Sequence, residues 1–125
     1  MSHRVRVRRV YDGVERDRAV RVLVDRVWPR GVRKDDLSLD DWAKDLAPST
    51  DLRKWYAHDV DRFAEFRRRY RAELDAPPGR SALRELRDRA RGRALTLLTA
   101  TKDVEHSHAA VLAELLSAPD DDPAG

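Results

Sequence analysis

The chain has 125 residues, 41% of them hydrophobic and 39% charged, a length that builds one core and is short for two. It contains no cysteine, which excludes disulfides, thiolate zinc sites, iron–sulfur clusters and a cysteine nucleophile. Its 26 basic residues, four of them lysine and the other 22 arginine, stand against 23 acidic ones for a net charge of only +3, a balance compatible with nucleic-acid binding but read in the first place as an ordinary surface laced with Glu/Arg pairs.

Residues 1–10 alternate arginine with valine, where a secretory signal would need an unbroken apolar stretch, and no apolar run approaches the length of a membrane span. The expected location is therefore the cytoplasm, with no membrane partner. The same alternation, Val5 and Val7 between arginines, predicts an edge strand with one wet face over residues 4–10, turned by Asp12-Gly13. Residues 20–25, V-R-V-L-V-D, form a more continuous β-branched run. They predict a buried strand that stops at Trp28-Pro29-Arg30-Gly31, where proline and glycine forbid further regular pairing.

Residues 37–46 are ambiguous, since Leu39, Trp42 and Leu46 have helical spacing while Trp42, Lys44 and Leu46 alternate; a short strand at 42–46 is expected. Pro48-Ser49-Thr50 reads as a helix start, with Ser49 or Thr50 as N-cap and Asp51 at the positive end of the dipole, so 51–57 should be helical. Val60, Phe63, Phe66, Tyr70 and Leu74 predict one amphipathic helix over 60–74. Pro77-Pro78-Gly79 breaks it, Ser81 is the expected cap of a second helix carrying Leu83, Leu86 and Ala90, and Gly92 is its expected left-handed terminus. A second buried strand is predicted at 94–100, A-L-T-L-L-T-A, running into Thr101-Lys102-Asp103. A last helix carries Val111, Leu112, Leu115 and Leu116 on one face, and residues 117–125, rich in Asp and Pro, read as a disordered tail behind a single domain at 1–116.

Strands alternating with helices predict an α/β fold, a single three-layer domain with a small, largely parallel sheet flanked by helices. Ligands of open α/β sheets bind outside the carboxyl ends of the strands. Residues 25–31 and Lys102-Asp103 would both lie there.

Isoleucine, asparagine and glutamine are absent from the chain. Recognition must therefore use guanidinium forks, carboxylates, hydroxyls, rings or backbone groups, and the bidentate amide contact that reads adenine in a major groove is impossible. The turn at 25–31 gathers Asp25, Arg26, Trp28, Arg30 and a Pro-x-Gly; arginine forks suit planar oxyanions, and an aromatic wall can stack a ring or order the arginine. Core packing by Trp28 and an Asp25–Arg26 pair is the alternative use of the same residues. Lys102 and Asp103, at a second strand end, would offer with Asp25 two carboxylates and a lysine for acid/base work, or Asp103 would simply face a helix dipole. A third cluster holds Ser49, Arg53, Lys54, Trp55 and His58-Asp59, with His58 the proton carrier near neutral pH, although capping explains Ser49 and packing explains Trp55. His106-Ser107-His108 is not read as a metal site, because an i,i+2 pair does not share a helix face. No phosphate loop, dinucleotide fingerprint or nucleophile elbow occurs in the chain, so no cofactor is expected.

The succession L-V-D-R-V-W-P-R-G, D-D-W-A-K-D-L-A-P-S, L-R-K-W-Y-A-H-D and L-L-T-A-T-K-D-V-E-H-S-H-A resembles the YeaO-like family, small bacterial proteins classed as domain of unknown function 488. The resemblance spans residues 4–116 and implies a stand-alone cytoplasmic α/β domain with no particular activity. It draws attention to the residues already marked, and to Asp59 and His106 beside them. The leading expectation is a small phosphate- or carboxylate-bearing ligand held at the sheet edge by Arg26, Arg30, Arg53, Lys102 and Ser49 against Trp28 or Trp55. Asp25, Asp103 or His58 would move protons if the protein is an enzyme. The alternatives are a nucleic-acid-associated protein using the arginines of 67–71 and 4–9, and a non-catalytic partner-binding module. Oligomeric state is not encoded in any of these patterns.

Overall fold

The two β-branched and leucine-rich runs become the central strands. The computed structural model describes residues 5–12 and 19–117. Strands β1 (Val5–Arg9), β2 (Val20–Leu23), β3 (Asp41–Trp42) and β4 (Leu95–Thr99) form one sheet in the order β1-β4-β2-β3, and every pair is parallel. Every residue of β2 and β4 is buried, as strands covered on both faces require, while the arginine-studded β1 lies at an edge.

Side-chain alternation divides the core. Val20, Val22, Val24, Leu95 and Leu97 face the larger apolar cluster, which α2 (Thr50–Tyr56), α3 (Phe63–Leu74), α4 (Gly79–Arg89) and α5 (His108–Ser117) complete with Phe66, Tyr70, Leu83, Leu86 and Leu112. Leu23 and Leu98 face the other way, under Val10, Leu37, Trp28, Val32 and Trp42. That second layer is thin: α1 (Lys34–Leu37) and the aromatic segment around it. It also buries Arg21, whose Nε donates to the Leu37 carbonyl at 3.1 Å and whose backbone exchanges hydrogen bonds with Asp40.

The structure departs from the predicted elements at several points. Residues 42–46 are neither one strand nor one helix: β3 ends at Trp42, and Lys44–Leu46 is a 3-10 turn. Ser49 caps α2 as expected, its Oγ accepting from the Leu52 N–H at 3.1 Å. The helix predicted from Val60 starts at Phe63, after a 3-10 turn at Val60–Arg62 that Asp59 caps, and Val60 is exposed. Ser81 lies inside α4, which begins at Gly79. Gly92 is left-handed at φ 73°, two residues beyond the cap at Ala90. Ser117 ends α5, so the tail loses its first residue; 118–125 and Gly13 of the Asp12-Gly13 turn lie outside the described residues. Among the described residues no helix is long and apolar enough to cross a membrane.

Candidate functional site

Four parallel strands put four carboxyl ends on one edge, and a cleft of about 1080 Å³ opens there. Its position follows from the chain paths. Leaving β2, the chain enters the thin layer through Trp28 and Val32; leaving β4, the neighbouring strand, it enters the helical layer as α5. The two connections part to opposite faces, which opens a crevice between the strand ends, the usual place for a ligand in such sheets.

Asp25 closes the floor of that crevice. Its Oδ1 accepts from Thr99 Oγ1 at 2.7 Å and its Oδ2 from the Ala100 N–H at 2.7 Å, so the side chain ties the end of β2 to the end of β4. His108 Nε2 lies 3.1 Å from the same Oδ1 and 3.0 Å from the Val24 carbonyl oxygen. Both neighbours only accept, so Nε2 carries the ring hydrogen and donates. Burial alone would raise the Asp25 pKa, but the His108 hydrogen bond and charge, the Ala100 amide and the Thr99 hydroxyl together hold it below its ordinary value of 3.8. Asp25 is thus a fixed carboxylate at neutral pH.

The walls come from the turn. Gly31 takes φ 77°, in the left-handed region that glycine adopts freely, and this lets the chain reverse after Pro29-Arg30. Trp28 meets Trp42 edge to face at 5.2 Å and donates from Nε1 to the Val32 carbonyl at 2.8 Å, while Trp42 Nε1 donates to the Asp25 carbonyl at 2.7 Å. Arg26 Nη2 donates to the Ala47 and Pro48 carbonyls at 3.3 and 3.5 Å, closing the side next to α2. Tyr56 and Phe66 stack at 4.2 Å beneath, and burial with the Asp103 and Asp59 charges raises the Tyr56 pKa, leaving a neutral phenol that donates to the His106 carbonyl at 2.7 Å.

Eight of the ten residues predicted for a site line this cleft: Asp25, Arg26, Trp28, Arg30, Arg53, His58, Lys102 and Asp103. Ser49 and Trp55 do not. Ser49 is held by Glu73, whose Oε1 accepts the Ser49 N–H at 2.8 Å and whose Oε2 accepts its hydroxyl at 2.5 Å. Trp55 packs against the larger cluster under Arg69 and Arg62, at 4.2 and 5.3 Å from their guanidinium carbons. Asp103 faces His106 Nδ1 at 2.9 Å instead of capping α5.

Lys54, which the sequence marked beside Arg53, lines the cleft too, whereas sequence reasoning missed Tyr11 and above all His108. His106 and His108 both line the cleft because Ser107, between the 3-10 turn and α5, is extended at ψ 164°, and residues i and i+2 of an extended segment share a side. The signal was the H-S-H sequence in the connection between β4 and α5; the helical spacing rule does not apply across that break.

The lining carries five cationic side chains, Arg26, Arg30, Arg53, Lys54 and Lys102, against two carboxylates, each of which already has a histidine partner. Among the described residues Arg30, Arg53, Lys54 and Lys102 have no carboxylate within ion-pair distance.

Fold and cleft together define a small, all-parallel α/β domain with a cationic crevice at its topological switch point. The family described as "Inactive DUF488-N3 subclade" matches residues 4–123. Similar proteins include the uncharacterized protein Mb3100c of Mycobacterium bovis and Rv3073c of Mycobacterium tuberculosis, each 51% identical over 114 residues, which span 91% of this chain and 94% of the relative. The uncharacterized protein YeaO of Escherichia coli is 44% identical over 112 residues, 90% of this chain and 96% of its own length. The chain belongs to the DUF488 family, in its YeaO-like branch. No solved structure matches it.

Proposed function

We propose that this domain binds a small phosphate- or carboxylate-bearing ligand in the cleft at the carboxyl edge of its sheet, acting in the cytoplasm as a binding protein and not as an acid/base catalyst. The observation that carries the reading is the set of four cations, Arg30, Arg53, Lys54 and Lys102, gathered around one crevice without carboxylate partners among the described residues. Unneutralised like charges repel one another, and an anion between them removes that cost. Asp25 favours binding over catalysis: its oxygens are occupied by Thr99, Ala100 and His108, and its pKa is held low, the opposite of what a proton carrier near neutral pH requires. The description of the subclade as inactive agrees with that choice.

Nucleic-acid binding through the helix arginines weighs less. Arg67 meets Glu114 at 2.7 Å, and Arg68 and Arg69 share Glu65, so two carboxylates offset half the charge of the four arginines at 67–71 before a phosphate backbone could meet it.

Isothermal calorimetry of the full chain with inorganic phosphate and sulfate tests the proposal. Arg30→Ala should weaken either affinity about ten- to a hundredfold, the value of roughly 1.5–3 kcal/mol for a hydrogen bond to a charged group. An unchanged affinity in that variant, or no binding to the wild type, removes the proposal.

A further inference from the structure

We infer, resting on the anion-binding reading above, that the ligand is an organic anion with a flat apolar body, its charged group at the cationic rim and its body on the aromatic floor. Size points this way first. Pockets for ligands of drug size run to about 300–1,000 Å³, and this cleft, at about 1080 Å³, far exceeds what a bare oxyanion fills.

The arrangement of the lining by depth points the same way. Arg30, Arg53, Lys54 and Lys102 are exposed, whereas Pro29, Ala47, Pro48, Tyr56 and Phe66 line the same space and are buried. Ala47 belongs to neither apolar cluster of the core and lines the crevice. The fifth cation, Arg26, is exposed like the other four, and its guanidinium is engaged with the Ala47 and Pro48 carbonyls, where it serves the wall. Asp25, with a side chain only 14% exposed, spends the donors at the bottom, the Thr99 hydroxyl, the Ala100 amide and His108, on its own carboxylate. An anionic group is therefore attracted at the mouth and finds those donors taken at depth, while an uncharged ring gains by leaving water for the apolar lining. Charge and polarity together orient a ligand with an anionic end and a ring, in one direction only.

The test compares inorganic phosphate, phenyl phosphate and phenol on the full chain by calorimetry. Phenyl phosphate should bind at least tenfold more tightly than inorganic phosphate and than phenol, because only it engages rim and floor together. Equal affinities for the two phosphates would sink the aromatic-body inference and leave anion binding standing; phenol binding as well as phenyl phosphate would overturn both. Ala47→Leu, which fills the floor, should cut the preference for phenyl phosphate over phosphate below threefold. A variant that keeps the tenfold preference argues against the floor as the seat of the ring. A thermal melt of Ala47→Leu establishes that it folds, and the wild-type comparison decides the inference without it.

Discussion

Asp25 shows how much one side chain contributes when it joins two strand ends. It receives a hydroxyl, a backbone amide and an imidazole N–H, all from β4 or the segment after it, so losing its charge weakens three hydrogen bonds at once. Asp25→Asn keeps the shape but turns one acceptor into a donor facing donors; it should cost about 2 kcal/mol in urea denaturation, the range for hydrogen bonds to a charged group. The pH dependence has a definite sign. The folded-state pKa lies below the ordinary 3.8, so the unfolded chain binds the proton more readily. The stabilisation is then complete above 3.8 and drains away as pH falls from there through the lower folded value. Unfolding free energies measured across that acid range should fall with pH in the wild type, and this part of the slope should be absent in Asp25→Asn. An identical slope in both proteins would mean that the carboxylate is not stabilised by its neighbours. Asp25 was readable in the sequence as a polar residue ending an apolar strand. Its partner His108 was not, because nothing local announces that an extended Ser107 breaks the helix before it.

At the scale of elements, Glu73 and Ser49 join two helices that the sequence shows only as separate patterns. The Ser49 hydroxyl accepts from the Leu52 N–H and donates to Glu73 on α3, and the Glu73 carboxylate also takes the Ser49 N–H. Ser49→Ala removes both an N-cap, worth about 1 kcal/mol, and the hydroxyl bond to a carboxylate. A loss of about 2 kcal/mol is expected, larger than an isolated cap gives. Glu73→Ala in the Ser49→Ala background should then cost less than Glu73→Ala alone; additivity in that double-mutant cycle would disprove the coupling. The bond lies 24 residues apart in sequence, beyond any periodicity. By contrast α2, α4, α5 and the two central strands were readable, because burial on one or both faces writes itself into apolar spacing. The failures fall where a short 3-10 turn replaces a full element: Lys44–Leu46 mimics alternation, and Val60–Arg62 continues a helical count without sharing its buried face.

For the molecule as a whole, parallel strands fixed the edge at which a ligand would sit before any side chain was placed, and eight of ten expected residues lie there. The sequence could not assign the cations to separate jobs. Arg26 and Arg30 are four residues apart, yet one binds backbone carbonyls and the other remains without a carboxylate partner among the described residues. That division has a consequence for stability under different salts. If the free cations repel one another across the cleft, simple screening by chloride relieves a little of that repulsion, whereas an oxyanion bound among them stabilises the folded state by mass action, about 2.7 kcal/mol at a hundredfold excess over its dissociation constant. The melting temperature should therefore rise on the order of 10 °C in saturating phosphate, and by much less in sodium chloride of equal ionic strength. Arg30→Ala should lose most of the difference between the two salts, since it removes a ligand contact and leaves general screening in place. Equal shifts in phosphate and chloride would mean that the cleft attracts ions without holding any of them, and the cationic rim would then be only a property of the surface.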